Sequence, residues 1–359
     1  MTGLDDVQHL KLADPSGMLA MVAGLPDQLA RAAAARDALR QSAGPVHGGG
    51  PRSVLVCGMG GSAIGGDVAA VWAAAHGVRI AVHRGYGLPA GVTSDDLLVF
   101  SSYSGDTAET LSAFDAAGAH GAARRCIATG GTLARRASEA GAPYLAMPGG
   151  LQPRAALGHS LVALLTQLHH AGVVPDPVPG LERATAWLRH LAAEYGPQVP
   201  EAENPAKQLA RSWHGMLPVI YTGPGLASVA GVRWRGQINE NAKSLAMTSS
   251  LPELDHNEIM GWSALPEIRR AITLVFLRDR DDSAAIALRM QVTAEILAPR
   301  AGHLQWIDTP GEGLLERLLG TLWLGDWASL YLAFLNGVDP TPVAEIQELK
   351  RRLAEPRPA

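Results

Sequence analysis

One stretch decides the fold, and it reads Val54-Leu55-Val56-Cys57-Gly58-Met59-Gly60-Gly61-Ser62-Ala63. Its first four residues form an apolar run with the length of a short buried strand, and a glycine-rich turn follows directly. A helical pattern then covers about 63–76. A strand that enters a helix through glycines is typical of a parallel sheet with helices on its faces. The free N–H groups at such a turn also favour an anion.

The same alternation of strand and helix continues along the chain. We predict strands in the first half at Val54–Cys57, Arg79–His83, Leu97–Ser101, Arg125–Thr129 and Pro143–Met147, and in the second half at Leu217–Tyr221, Ile272–Leu277 and Leu304–Ile307. We predict helices at about 16–43, 63–76, 107–117, 132–139, 155–171 and 181–195. Short apolar strands between helices indicate the α/β class with doubly wound parallel sheets.

The chain divides at two breaks, and its length suits about two domains. A loop, Gly44–Pro51, separates an N-terminal helical segment, 1–50, from a first domain over 51–175. Three prolines within Val173–Gly180 indicate a linker. A second domain is expected over 181–359, ending in a C-terminal helix.

Composition excludes several classes of protein. Of the 359 residues 47% are apolar and 18% charged, so general disorder is excluded. A net charge of −4 gives no basis for a nucleic-acid partner, and we see no run of about 18 apolar residues that would span a membrane. The start of the chain is acidic, unlike a signal peptide. The only two cysteines, Cys57 and Cys126, do not make a disulfide framework, and we expect a reduced, cytoplasmic protein.

The glycine turn leaves more than one interpretation open. Gly58 to Ala63 matches the dinucleotide pattern G-x-G-x-x-A, but no acidic residue lies between Asp67 and Asp95 to bind a ribose, so NAD is disfavoured. Arg79 or Arg84 would still suit NADP. A tight turn without a ligand is the third interpretation.

Hydroxyl groups cluster after the third strand. Ser102, Ser104 and Thr107 surround Gly105 at the start of a helix. Hydroxyls and free N–H groups together bind a phosphate, with about 1.5–3 kcal/mol for each charge-assisted hydrogen bond. An ordinary helix cap would need only one such residue, so a phosphate site is favoured.

Acid, base and cation candidates lie further along the chain. Arg154, after the fifth strand, can steady an oxyanion. Glu240 and His256 provide the carboxylate and imidazole that proton transfer commonly uses, although each alone is more often structural. Lys243 and Lys350 supply further cations. No H-E-x-x-H motif occurs, and Ser62 lacks the G-x-S-x-G elbow.

These motifs, in this order, resemble the bifunctional phosphoglucose/phosphomannose isomerases of the sugar isomerase (SIS) superfamily. The resemblance spans about Asp14 to Lys350. It rests on Cys57-Gly58-Met59-Gly60-Gly61-Ser62, Ser102-Tyr103-Ser104-Gly105-Asp106-Thr107-Ala108-Glu109-Thr110, Gln152-Pro153-Arg154, Asn239-Glu240-Asn241-Ala242-Lys243 and Pro252-Glu253-Leu254-Asp255-His256-Asn257-Glu258-Ile259.

The resemblance implies two SIS domains, each with a five-stranded parallel sheet, in a homodimer. It implies that glucose 6-phosphate and mannose 6-phosphate are interconverted with fructose 6-phosphate without a metal or other cofactor. By the resemblance, Ser102, Ser104 and Thr107 would bind the phosphate, and Gly60, Gly61 and Ser62 would line the sugar site. Glu240 would transfer the proton between C1 and C2, and Arg154 would stabilise the enediolate. His256 of the neighbouring subunit would open the sugar ring, together with Lys350.

Two positions depart from the family pattern. Val343 stands where the bifunctional enzymes carry Thr, seven residues before Lys350, and Asp106 replaces the more usual Asn of the phosphate loop. The competing hypotheses are a non-catalytic SIS protein that binds a sugar phosphate and regulates a partner, and an amino-sugar isomerase. The Glu240–His256 pair disfavours the first, since a pure binder needs no acid–base pair. The absence of a glutaminase domain disfavours the second.

Overall fold

The computed structural model describes residues 3–32, 34–37 and 53–355. The described part of the chain before the first sheet contains three short helices, α1 Val7–Leu12, α2 Met18–Ala23 and α3 Leu25–Leu29, and residues 34–37 are also helical. Gly24 separates α2 from α3, so the helix expected over 16–43 is divided there. Residues 38–52, which hold the end of that helix and the Gly44–Pro51 loop, lie outside the described residues.

The first sheet has five parallel strands, as expected from the sequence. They are β1 Ser53–Gly58, β2 Ile80–His83, β3 Asp96–Ser101, β4 Ala123–Ala128 and β5 Tyr144–Ala146, in the order β2-β1-β3-β4-β5. The helices that follow strands in this half are α4 Gly60–Ala74, α5 Ala108–Ala117, α6 Gly131–Glu139 and α7 Leu157–His170. Every residue of β3 is buried, because helices cover both faces of the sheet.

The second half carries its own parallel sheet. Its strands are β6 Leu217–Thr222, β7 Met247–Ser250, β8 Ile272–Arg278 and β9 His303–Asp308, in the order β7-β6-β8-β9. Its helices are α8 Val178–Tyr195, α9 Pro205–Trp213, α10 Leu226–Ala242, α11 Pro266–Arg270, α12 Ala284–Leu297, α13 Leu314–Leu335 and α14 Ala344–Ala354. The predicted domain boundaries at 50, 175 and 181 stay a prediction.

The expectation of five strands in this second sheet is wrong: the sheet has four strands within the described residues. The segment between α13 and α14, where the chain would have to supply a fifth strand, includes Pro340 and Pro342. Proline has no N–H to donate to a neighbouring strand, so this segment is a poor strand. Its carbonyl groups are used elsewhere, as described below.

Helix α13 forms the centre of the molecule. It packs against α8, α9 and α10, and the indole N–H of Trp323 donates to the carbonyl of Val22 at 2.8 Å. Among the described residues it is the one helix long and apolar enough to cross a membrane. However, 94% of its apolar 18-residue stretch is buried inside the protein. The stretch contains no run of about 18 apolar residues, because Asp326 and Ser329 interrupt it, so the helix does not stand out in the sequence pattern.

The contact between α4 and α10 brings the two halves together at the functional end of the first sheet. Helix α4 starts at the glycine turn beyond β1, and α10 ends with Glu240, Asn241 and Ala242. The carboxyl edge of the first sheet therefore faces the end of a helix from the second half.

Candidate active site

The glycine turn lies against the Gln152-Pro153-Arg154 segment. A Cβ atom on Gly61 would lie 2.9 Å from the carbonyl oxygen of Pro153, so only glycine permits this approach. Gly60 and Gly61 open the first turn of α4, and Ser62 is buried just behind them. This close contact places Arg154 next to the glycine turn, at the carboxyl end of β1.

The predicted hydroxyl cluster is present between β3 and α5. The hydroxyls of Ser102 and Thr107 lie 2.8 Å apart, and the N–H of Gly105 donates to Ser102 Oγ at 3.1 Å. Ser104 is exposed, and its hydroxyl accepts from the N–H of Asp106 at 3.2 Å. Thr107 precedes the first turn of α5 and makes no side-chain cap bond there. The loop therefore presents hydroxyls beside a helix N-terminus, an arrangement suited to an anion.

Asp106 turns away from this hydroxyl loop. Its carboxylate accepts a hydrogen bond of 2.9 Å from the N–H of Thr132 in the first turn of α6. Hydrogen bonds from the backbone and side chain of Thr132 hold the pKa of Asp106 below its usual value. An acid at the start of a helix is stabilising, so the departure from Asn has a structural use.

Arg154 is almost fully buried, with 4% of the residue exposed. Its Nε donates to Asn241 Oδ1 at 2.7 Å, and its Nη2 donates to the carbonyls of Pro340 and Thr341 at 2.7 and 2.9 Å. Its Nη1 lies 3.6 Å from Glu240 Oε2. Burial lowers the pKa of Arg154, and the neighbouring Glu240 carboxylate opposes that effect.

Glu240 occupies the last turn of α10 and is partly exposed. Lys243, which follows the helix in a left-handed conformation with φ of 53°, donates from Nζ to the carbonyls of Glu240 at 2.8 Å and Pro340 at 2.9 Å. Burial lowers the pKa of Lys243, and the cation of Arg154 acts in the same direction. Lys243 is among the further cations selected from the sequence, and in the structure it caps the C-terminus of α10.

A cleft of about 210 Å³ lies beside the Arg154–Glu240 pair, and its lining does not include Ser62, Ser102, Ser104 or Thr107. Gly60, Gly61, Arg154 and Glu240 line it, which brings together four of the residues selected from the sequence. Arg84, Arg233, Arg235 and Gln237 also line it. Arg233 and Gln237 are not among the residues selected from the sequence, although their spacing of four residues on α10 places them on one face.

His256 and Lys350 do not line this cleft within one chain. His256 is exposed in a 3₁₀ turn, Glu253–His256, that Asp255 fixes by accepting from Thr293 Oγ1 at 2.9 Å. Lys350 is exposed on α14, a helix none of whose described side chains is buried.

Neither cysteine lines this cleft. Cys57 and Cys126 are free and buried, and burial raises the pKa of each thiol to about 12. Within residues 3–32, 34–37 and 53–355, no group of three or more His, Cys, Asp or Glu side chains could hold a metal ion.

Comparison with known proteins adds the following. Residues 202–353 match the family described as the bacterial phospho-glucose isomerase C-terminal SIS domain. The bifunctional phosphoglucose/phosphomannose isomerase of Caldicellulosiruptor bescii is 41% identical over 303 residues, which are 84% of this chain and 89% of the relative.

Two solved structures share the fold. A glucose-6-phosphate isomerase like protein from Thermus thermophilus aligns with a TM-score of 0.62 at 20% identity, over 98% of this chain and 99% of the other. A putative phosphosugar isomerase from Clostridium difficile 630 aligns with a TM-score of 0.72 at 12% identity, over 95% of this chain and 99% of the other.

Proposed function

The chain belongs to the bifunctional phosphoglucose/phosphomannose isomerase family, and we propose that it interconverts glucose 6-phosphate and mannose 6-phosphate with fructose 6-phosphate through an enediolate. One observation carries the proposal: the guanidinium of Arg154 lies 3.6 Å from the carboxylate of Glu240 at one wall of a cleft. A carboxylate next to a cation is what proton transfer beside a carbonyl group requires.

Glu240 is the base of the proposed reaction. Its partial exposure to the cleft gives its carboxylate access to the C1–C2 bond of an open-chain sugar. The carboxylate takes a proton from one carbon, exchanges it with water while the enediolate is bound, and delivers a proton to the other carbon, while the hydroxyl proton passes between O1 and O2. The base is therefore unchanged after each turnover.

Arg154 stabilises the oxygen that becomes negative when the carbon loses its proton. Its Nε and Nη2 are already engaged by protein oxygens, which leaves Nη1 to face the cleft beside Glu240. Because the side chain is held before substrate arrives, little reorganisation is needed as charge develops.

Ser102, Ser104 and Thr107 bind the substrate phosphate, while Gly60, Gly61 and Ser62 line the sugar. Support comes from the hydroxyl cluster beside the N-terminus of α5 and from the glycines that line the cleft. The phosphate thus anchors one end of the substrate while the Glu240–Arg154 pair acts at the other.

We further propose a homodimer in which His256 of one subunit, with Lys350, opens the sugar ring at the cleft of the other. His256 is exposed on a turn held by Asp255, and its side chain makes no hydrogen bond to another described residue, so it is available to a second copy. Two free cysteines without a disulfide fit a cytoplasmic location.

The test is a coupled assay of the purified protein with each sugar phosphate in turn, with and without a chelator. We expect turnover of glucose 6-phosphate and mannose 6-phosphate, with rates that the chelator leaves unchanged. Tight binding of the same sugar phosphates without turnover would instead support the regulatory protein.

A further inference from the structure

The amide of Asn241 lies fully buried directly behind the Arg154–Glu240 pair. Its Oδ1 accepts from Arg154 Nε at 2.7 Å, and its Nδ2 donates to Ser329 Oγ at 2.9 Å. Asn241 follows Glu240 on α10, whereas Arg154 comes from the first half of the chain. One side chain therefore links the carboxylate's helix to the guanidinium.

The orientation of this amide is fixed from both ends. The hydroxyl of Ser329 donates its single proton to the carbonyl of Asp326 at 2.7 Å, so towards Asn241 it can only accept. At the other end Arg154 can only donate. Asn241 must therefore direct its NH₂ group to Ser329 and its oxygen to Arg154.

The main chain of Arg154 is held by a second buried group. Arg233 Nη2 donates to the carbonyl of Arg154 at 2.7 Å, while Asp326 accepts from Nε and Nη2 of Arg233 at 2.9 and 2.8 Å. The charge of Arg233 is thus neutralised by a carboxylate. The hydrogen-bond acceptors of Arg154, by contrast, are an amide and two carbonyl oxygens, all neutral.

The neutral hydrogen-bond acceptors of Arg154 leave its positive charge available to the reaction. A neutral acceptor holds a guanidinium in place without cancelling its charge, whereas a carboxylate at hydrogen-bond distance would cancel it. The one carboxylate near Nη1, that of Glu240 at 3.6 Å, loses its charge when it accepts the substrate proton. The field of the buried Arg154 then acts strongly on the oxyanion that forms beside Nη1.

We propose that Asn241 is a positioning residue that directs Arg154 Nη1 at the reacting oxygen and preserves the positive charge of the guanidinium. The inference rests on the isomerase function proposed above. Asn241 itself does not touch the substrate and acts through Arg154.

The test compares Asn241→Ala in the wild-type chain and in an Arg154→Ala background. In the wild-type chain kcat for fructose 6-phosphate should fall by about 10²-fold, the usual cost of a misplaced catalytic group, while KM changes little because the phosphate loop is intact. In the Arg154→Ala background the same change should alter kcat by no more than about twofold. Asn239→Ala is the matched control: Asn239 lies on the same helix, is exposed, and accepts from the N–H of Ala246 at 3.1 Å rather than from Arg154, so its loss should leave kcat unchanged.

A second variant keeps the test decisive if Asn241→Ala does not fold. Asn241→Asp retains the oxygen for Arg154 Nε and forms an ion pair with it, so the fold should persist and KM should stay near wild type. The neutralised guanidinium should lower kcat towards the value of Arg154→Ala. A wild-type kcat in Asn241→Asp would overturn the role of the neutral acceptor.

Other outcomes separate this inference from the function on which it rests. An equal loss of kcat from Asn241→Ala in both backgrounds means a merely structural residue and overturns the inference while the isomerase activity stands. A wild-type chain that turns over none of the sugar phosphates overturns the proposed function and with it this inference.

Discussion

Arg154 illustrates how a buried charge is made tolerable at a single residue. Removing a cation from water costs several kcal/mol, and each hydrogen bond to a charged group returns about 1.5–3 kcal/mol. Three such bonds, donated by Arg154 to Asn241, Pro340 and Thr341, offset the cost without a carboxylate at hydrogen-bond distance. The Glu240 carboxylate lies 3.6 Å from Nη1, within ion-pair distance, and its partial exposure leaves it accessible for the proton transfer proposed above.

The first prediction concerns the activity of a Glu240 variant. Glu240→Gln keeps the volume of the side chain and removes the base, so kcat should fall by roughly 10²–10⁴-fold. Binding of the phosphosugar should change little, because the proposed phosphate contacts, Ser102, Ser104 and Thr107, are unaltered. Steady-state kinetics with binding calorimetry measures both. Near-normal turnover, or a loss of binding in proportion to activity, would show that Glu240 is not the base.

The second prediction concerns Asp106 and how the stability of the folded protein depends on pH. Its pKa is lowered in the folded protein by Thr132, so its contribution is present above the unfolded value of about 3.9 and is lost as pH falls through the folded pKa. Asp106→Asn keeps an acceptor but loses the charge. The wild-type protein should therefore have the higher Tm near neutral pH, and the difference should shrink in acid. A difference in Tm that is constant with pH would contradict this role.

At the scale of elements, apolar patterns located eight of the nine strands. They missed β7, because Met247-Thr248-Ser249-Ser250 is polar and becomes a strand by pairing with β6. They also could not show that Arg154 and Glu240 meet, since the packing of α4 on α10 determines that distance. The hydroxyl cluster was predictable because Ser102, Ser104 and Thr107 lie within one loop.

The hydroxyl loop gives a third prediction. Gly105 has a φ of 76°, and a Cβ atom there would lie 1.9 Å from the carbonyl oxygen of Gly130. Gly105→Ala should displace the loop, raise KM for the phosphosugar and weaken binding of inorganic phosphate. Gly77→Ala is the matched control, since Gly77 has a φ of 75° and open space around it.

Both substitutions should lower Tm through backbone strain of about 1–2 kcal/mol. Only Gly105→Ala should change KM. If the two variants bind phosphosugar equally well, the hydroxyl loop is not the phosphate site.

At the scale of the whole molecule, α13 packs against helices of both halves, and the cleft forms where the first half meets α10. The sequence indicated two α/β units but not this arrangement, because the contacts join residues far apart in the chain. His256 and Lys350 remain outside the cleft of their own chain. A second copy is the proposed source of His256.

A fourth prediction tests the shared site by complementation. Co-expressed Glu240→Gln and His256→Ala chains with different tags allow the hybrid dimer to be isolated. If each site combines Glu240 of one subunit with His256 of the other, the hybrid holds one intact site of two and should recover about half of the wild-type activity. Sites contained within one chain would leave the hybrid as inactive as its parents.

The central claim, proton transfer by Glu240 through an enediolate, is tested most directly by isomerising fructose 6-phosphate in deuterium oxide and locating deuterium in the product by NMR. A base that exchanges its proton with solvent during the reaction puts deuterium at C2 of glucose 6-phosphate. We predict deuterium at C2 with the wild-type protein, and its loss together with turnover in Glu240→Gln. Full conversion to product without deuterium at C2, or unchanged incorporation in Glu240→Gln, would contradict this account.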